Sequence, residues 1–239
     1  MDVEAIERAT VAAVAPPKVL EIDGWLAPLD DGTIGRARSA VPLSHAASSD
    51  PIGPIEAAYW AHGLTPAFRI AEAPGLARVR EALTERGYLG ARPSLMKVGE
   101  AARLAAFRDP PAELMAAPDA GWASVFLGEG FDPVDGAHRV AALSRSLGAV
   151  YAAVRENGRT VAVGAASFGH GWGGVHGMRT AGDRRGRGLA GQILTALGQA
   201  MVARGVDNVC LQVEENNPAR ALYRKAGFTE AWRYRYWNR

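Results

Sequence analysis

Residues 185–191 read Arg-Gly-Arg-Gly-Leu-Ala-Gly, and farther along comes Asn216-Asn217-Pro218-Ala219-Arg220-Ala221-Leu222-Tyr223-Arg224-Lys225-Ala226-Gly227-Phe228. Before the first segment, residues 173–180 have the pattern of a strand. After it, Leu189, Ile193, Leu194, Leu197 and Met201 fall at helical spacing, which puts the glycines at a strand-to-helix junction. A helix start leaves unpaired N–H donors and a partial positive charge, a combination that suits a phosphate group. Gly186 and Gly188 allow the backbone to approach a ligand with no side chain in the way, and Arg184, Arg185 and Arg187 add positive charge. Taken by itself, the segment fits an ordinary glycine-rich turn equally well, because short glycine motifs recur by chance.

Two familiar phosphate loops do not fit. A Walker loop needs Gly-Lys-Ser/Thr, and no such triplet follows these glycines. A dinucleotide fingerprint needs Gly-x-Gly-x-x-Gly early in a βαβ unit, with an acidic residue about 20 positions on. Gly186, Gly188 and Gly191 match that spacing, but only Asp207 stands in the acidic window, at the head of a strand, and no second nucleotide-binding half follows.

The two segments together resemble the GNAT superfamily of acyl-CoA-dependent N-acyltransferases. The family's pyrophosphate motif, Arg/Gln-x-x-Gly-x-Gly/Ala, is matched by Arg185, Gly188 and Ala190. Its Asn…Ala-x-x-Leu-Tyr…Gly-Phe pattern is matched by Ala219, Leu222, Tyr223, Gly227 and Phe228. The motif asparagine is either Asn216, by spacing to Tyr223, or Asn217, by spacing from Val213. The resemblance covers roughly residues 111–239. It implies acetyl-CoA as co-substrate, with the pyrophosphate on the N–H groups of Gly186, Arg187, Gly188, Leu189, Ala190 and Gly191. It also implies a pantetheine arm paired to the backbone at Met178 and Thr180, the latter a polar departure from the family pattern.

The remaining composition agrees with this. Hydrophobic residues make up 48% of the 239 and the formal net charge is +2, which argues against nucleic-acid binding through a broad basic surface. The single cysteine, Cys210, excludes a disulfide framework and reads as a core thiol in Val209-Cys210-Leu211. The first ten residues are charged with no apolar leader, and no apolar run reaches the length of a membrane span, so a cytoplasmic location is the default. No metal site is read.

A weak internal repeat runs through the chain. Helix 55–62, strand 66–71, helix 75–86, Gly87-Tyr88 and extended 93–98 have the order of helix 189–203, strand 206–213, helix 218–226, Gly227-Phe228 and strand 230–237. Leu83 then stands opposite Tyr223. Residues 48–54, opposite the glycine loop, lack its arginine and paired glycines. The expected architecture is α/β of the α+β kind, a duplicated GNAT-like mixed and mostly antiparallel sheet flanked by helices. A degenerate GNAT-like domain would occupy 1–110 and a catalytic one 111–239, with Pro110-Pro111 and the Ala/Pro-rich 112–118 as linker.

Transfer of an acetyl group from a thioester to a primary amine, by direct attack in a ternary complex, needs a neutral amine and a proton for the leaving thiolate. A phenol near pKa ~10 stays protonated at neutral pH and can donate to a thiolate of pKa about 8.5. By resemblance Tyr223 takes that role. Candidates for the base are His176, two residues before Met178 and so expected on the same face, and Glu214 or Glu215 at the end of the next strand. Ribosomal-protein alanine acetyltransferases of the family have a glutamate five residues before the motif asparagine, where this chain has Leu211 or Gln212. That departure argues against a ribosomal peptide substrate. The acceptor, a small molecule or peptide, is not legible. Trp172 in 169–174 suggests a loop edging its groove, and Trp122, Phe126 and Phe131 suggest a wall. Two other readings are a non-catalytic acyl-CoA sensor and an adaptor using the arginine–aromatic alternation of 233–239, which is also the pattern of a half-buried final strand.

Overall fold

A computed structural model describes all of residues 1–239. The chain opens with α1 (Val3–Ala12), capped by the Asp2 carboxylate, which accepts the Ala5 N–H at 3.0 Å. β1 (Lys18–Ile22) and β2 (Trp25–Leu29) form a hairpin on Asp23-Gly24, and β3 (Val41–Pro42) completes a small sheet. Next come α2 (Ile52–Ala61), β4 (Phe68–Ala71), α3 (Ala77–Glu85), β5 (Leu89–Glu100) and α4 (Ala101–Ala105). The chain continues with β6 (Glu113–Met115), α5 (Ala120–Ser124), α6 (Pro133–Ser144), β7 (Val150–Glu156), β8 (Arg159–Gly169) and β9 (Trp172–Thr180). It ends with α7 (Leu189–Ala203), β10 (Asn208–Glu214), α8 (Arg220–Lys225) and β11 (Thr229–Asn238).

The unit α2-β4-α3-β5 and the unit α7-β10-α8-β11 repeat each other down to their helix caps. After α3, the N–H of Gly87 bonds to Thr84 C=O at 2.9 Å and that of Tyr88 to Leu83 C=O at 3.0 Å. After α8, Gly227 bonds to Arg224 at 3.1 Å and Phe228 to Tyr223 at 3.0 Å. Both glycines have positive φ (+82° and +94°), as a Schellman cap requires. Leu83 and Tyr223 therefore hold the same structural position. The ends of α2 and α7 match in the same way, through Gly63 and Gly205.

Both units belong to one eight-stranded sheet, in the order β4-β11-β5-β10-β9-β8-β7-β6, in which only β9–β10 is parallel. Position 110/111 falls in the connector between α4 and β6, and the terminal strands cross it. β5 of the first unit lies between β10 and β11, and β11 of the second lies between β5 and β4. The exchange spans two cores. Leu95 of β5 packs in the core around α7, and its neighbour Met96 packs with Trp25, Tyr59 and Phe68 of the first half. Residues 112–118 are not a free linker, because β6 within them pairs with β7 (Glu113↔Ala153) as the outer strand of the sheet.

The arginine–aromatic tail is an interior strand. Trp232 and Tyr234 are buried in the first-half core, while Arg235 pairs with Glu72 at 2.6 Å and Arg233 pairs with Glu215. α7 is apolar on nearly every face because it is covered twice. Ile193 and Leu197 pack on β8, and on the other side a Cβ at Gly198 would lie 2.5 Å from Ala105 N of α4. No helix is long and apolar enough to cross a membrane.

Candidate active site

β9 and β10 pair only from Asn208↔Trp172 to Leu211↔Val175. Beyond Val175 the strands diverge, while β10 stays paired to β5 as far as Glu214↔Ser94. The divergence opens a cleft through the sheet between residues 176–180 and 212–214. One side leads into a cavity of about 690 Å³ against the start of α7. The other leads into a cavity of about 340 Å³ lined by β9 and β10, with Arg36 from the first half and Phe126 and Arg139 beside it. Met178, Arg179, Asn217 and Tyr223 border both.

The larger cavity gathers the expected cofactor residues: Met178 and Thr180 from β9, Arg185 to Gly188 from the turn, and Leu189 to Gly191 from α7. Gly186 and Gly188 have φ of +77° and +81°, which turns successive amides toward the cavity. The N–H groups of Gly186 to Ala190 have no backbone acceptor, and that of Gly191 is taken by Gly188 C=O at 2.9 Å. Of the three arginines here, Arg184 and Arg187 share Glu156 at 3.0 and 2.9 Å, leaving Arg185 without an ion pair. A chain of free donors beside the unpaired Arg185 fits a diphosphate.

Gly188 and Gly191 serve a second purpose that the sequence did not reveal. Arg108, from the connector after α4, lies along the first turn of α7, anchored by its N–H to Thr195 Oγ1 at 2.9 Å. A Cβ at Gly188 would stand 2.5 Å from the Arg108 guanidinium carbon, and one at Gly191 would stand 2.8 Å from its Cδ. Nothing in the glycine spacing signals an arginine so far away in sequence.

Tyr223 is 7% exposed and packs edge-on to Phe228, with ring centroids 6.0 Å apart. Burial pushes its hydroxyl up to about 12, so it is protonated throughout the neutral range. Of the two asparagines, Asn217 borders the cleft and accepts the Ala219 N–H at 2.9 Å, which fixes the chain entering α8. Asn216 is exposed and borders neither cavity.

His176 and Met178 do not share a face. β9 bulges at Gly177 (φ +59°), where three steps of β9 (His176 to Arg179) oppose two of β8 (Ala165 to Val163). The bulge turns Met178 toward Ile193 of α7 and leaves His176 on the opposite face, against Ser167 Oγ at 2.9 Å. The imidazole is 5% exposed, and burial, reinforced by Arg36, holds its pKa well below the usual 6.5, so it is neutral. Its Nδ1 has no partner. Glu214 lines the same smaller cavity and is exposed. Glu215 points away from it, paired to Arg233.

The expected aromatic walls separate on inspection. Phe126 lines the smaller cavity and Phe131 the larger, where Arg179 stacks on its ring at 4.3 Å. Trp122 lies in the core, its Nε1 donating to Gly164 C=O at 3.1 Å. Trp172 sits at the paired end of β9, opposite Asn208 and against the first-half core, away from the cleft. The turn before it is a tight one on His170-Gly171. Arg36 and Arg139, which no sequence motif marks, also line the smaller cavity. No cluster of three His, Cys, Asp or Glu side chains is placed to hold a metal ion.

Comparison with known proteins gives a consistent picture. The family model described as "Probable histone acetyltransferase Rv0428c C-terminal" matches residues 1–237. A "GCN5-related N-acetyltransferase" from Kribbella flavida superposes with a TM-score of 0.70 at 19% identity, over 99% of this chain and 95% of that one. A "tandem GNAT protein from the clavulanic acid biosynthesis pathway" gives 0.64 at 14% identity, over 100% and 94%. At such identities the likeness speaks for the fold. A "mycothiol acetyltransferase" of Corynebacterium aurimucosum is 45% identical over 67 residues, which is 28% of this chain and only 22% of that protein's length.

Proposed function

Because the chain belongs to the GNAT superfamily, within the family whose model matches residues 1–237, we propose that it transfers an acetyl group from acetyl-CoA to a primary amine across the β9–β10 cleft. The observation that carries this reading is the position of Tyr223, which borders both the cavity with the free amides and the cavity on the far side of the sheet. The diphosphate of acetyl-CoA lies on the N–H groups from Gly186 to Ala190, beside Arg185. The pantetheine arm runs along the edge of β9 at Met178 and Thr180, which β10 has left unpaired.

In the reaction the neutral amine nitrogen attacks the thioester carbonyl, forming the C–N bond as the C–S bond breaks. The sulfur takes a proton from the Tyr223 hydroxyl, which regains one from solvent before the next turnover, and the nitrogen gives up one of its own. Glu214, exposed at the rim of the acceptor side, is the group we assign to receive that proton through water and pass it to solvent. His176, held by Ser167 where burial and Arg36 disfavour a protonated imidazole, lines the cavity as a positioning group and is not assigned as the base.

Thiol release from acetyl-CoA in the presence of an amine panel tests this directly. Amine-dependent release with recovery of the acetylated amine supports it. Tight acetyl-CoA binding with no transfer to any amine favours an acyl-CoA sensor instead. As a check on the base, Glu214→Gln should lower kcat, while His176→Gln should alter KM more than kcat.

A further inference from the structure

The smaller cavity folds positive charge inward. Arg36, Arg139 and Arg179 border it, against one bordering carboxylate, the exposed Glu214. Asp135 stands beside the arginines but is already engaged, with Arg139 Nε at 2.6 Å, Arg179 Nη2 at 3.7 Å and the Thr33 hydroxyl donating at 2.7 Å. Glu7, the buried carboxylate of α1, is held by Arg69 at 2.6 Å. Arg36 is left with no counter-ion.

Arg36 sits on a 3-10 turn at Gly35–Ala37 and reaches the cavity from the first half of the chain. Its one polar contact is a long 3.5 Å bond from Nη1 to Gln212 Oε1, and its Nε is buried without an acceptor. Gln212 Nε2 and His176 Nδ1, in the same wall, are also buried and unpartnered. A half-buried guanidinium with no counter-ion and a buried, unpartnered Nε is unfavourable by itself. Its planar fork suits a carboxylate or a phosphate. The unfilled donors of Arg36 and Gln212 lie together, and Tyr223 borders the same cavity.

We propose that the acceptor is a small amine carrying an anionic group of its own, a carboxylate or a phosphate, and that Arg36 binds this anion while the amine nitrogen lies at the Tyr223 end of the cavity. The proposal rests on reading the cleft as an acetyl-transfer site. A cavity of about 340 Å³ is of small-molecule size. Its arginines disfavour a lysine-rich peptide, since like charges across an interface exclude wrong partners. Arg36 thus gives the first half a part in substrate selection, although it lacks the glycine loop.

The test uses acceptors in matched pairs, glycine against glycinamide and phosphoethanolamine against ethanolamine, with a lysine-rich peptide alongside. In at least one pair the anionic member should exceed its neutral partner in kcat/KM by about ten- to a hundredfold, chiefly through KM. The pair that shows the effect tells carboxylate from phosphate. Arg36→Met should bring the ratio close to one. Equal use of neutral amines, preference for the peptide, or an unchanged ratio in Arg36→Met would overturn the proposal. A second readout needs no turnover: thermal melting of the full chain with coenzyme A bound, titrated with glycine or with inorganic phosphate. Wild type should melt higher with one of these anions and Arg36→Met should not respond, while its own ligand-free midpoint falls no lower than wild type. An Arg36-dependent melting shift without transfer to any amine would keep the anion site and remove the acetyl-transfer reading. Transfer with no Arg36 dependence in either readout would do the reverse.

Discussion

Placing a carboxylate at the first turn of α7 should separate cofactor binding from folding. Ala190 is the second residue of the helix after the Gly188 cap, is partly exposed, and borders the larger cavity. In Ala190→Glu the new charge faces the positive end of the helix dipole, a change worth about 0.3–1 kcal/mol in favour of the fold. That offsets the slightly lower helix propensity of Glu. Against a bound diphosphate the sign reverses. Two unit charges about 4 Å apart at an effective dielectric near 20 repel by about 4 kcal/mol, which is almost a thousandfold in affinity. A melting curve gives the first quantity and titration calorimetry with acetyl-CoA the second. The expected outcome is loss of measurable binding with a melting midpoint unchanged or slightly raised. Binding within about tenfold of wild type would refute the placement of the diphosphate. Gly188→Glu is a poorer probe, because a side chain at its +81° φ would strain the backbone and cost stability as well.

His176 makes stability depend on pH with a definite sign. Its folded pKa lies well below the unfolded value of about 6.5, so below that pH the unfolded chain takes up a proton that the folded chain refuses. The stability present at pH 8 should therefore fall as pH drops, by up to about 1.4 kcal/mol at pH 5.5 from this group alone. Urea unfolding at both pH values should show a loss that much smaller in His176→Gln, and equal losses would contradict the neutral imidazole. Glu56 is buried and accepts from Tyr88 Oη at 2.8 Å, Arg86 at 2.8 Å and Arg239 at 2.9 Å. The arginines can turn to water but the tyrosine hydroxyl cannot, so Glu56→Ala should lower unfolding free energy by about 1–3 kcal/mol. An unchanged denaturant midpoint would show that this network adds nothing.

Much of this fold is written locally. The apolar spacing from Leu189 to Met201 predicts α7 over 189–203, its observed span, and Gly87-Tyr88 and Gly227-Phe228 mark caps that the structure forms with the same hydrogen bonds. Elements fixed by short-range periodicity and by glycine at positive φ are legible one at a time. The exchange of β5 and β11 is not, because partner choice in a sheet depends on burial against distant strands, and both strands carry residues apolar enough for either core. The bulge at Gly177 reverses the face of His176, and a single extra residue is invisible to a count by twos. The amide loop and Tyr223 lie within contiguous motifs, and the structure brings both to one cleft. Arg36 and Arg108 come from segments far from those motifs, and only tertiary packing delivers them.

If acetyl transfer takes place where the β9–β10 cleft passes Tyr223, single-turnover transfer in Tyr223→Phe is the decisive measurement. The substitution keeps the ring that packs on Phe228 and removes the proton. With acetyl-CoA affinity unchanged by calorimetry, the single-turnover rate should fall by about 10²–10⁴-fold, as loss of a general acid does. The fall should persist from pH 6.5 to 8.5, because a hydroxyl of pKa about 12 stays protonated across that range in the wild type. A phenylalanine variant that transfers acetyl at the wild-type single-turnover rate would leave Tyr223 as a packing residue and put the proton source elsewhere.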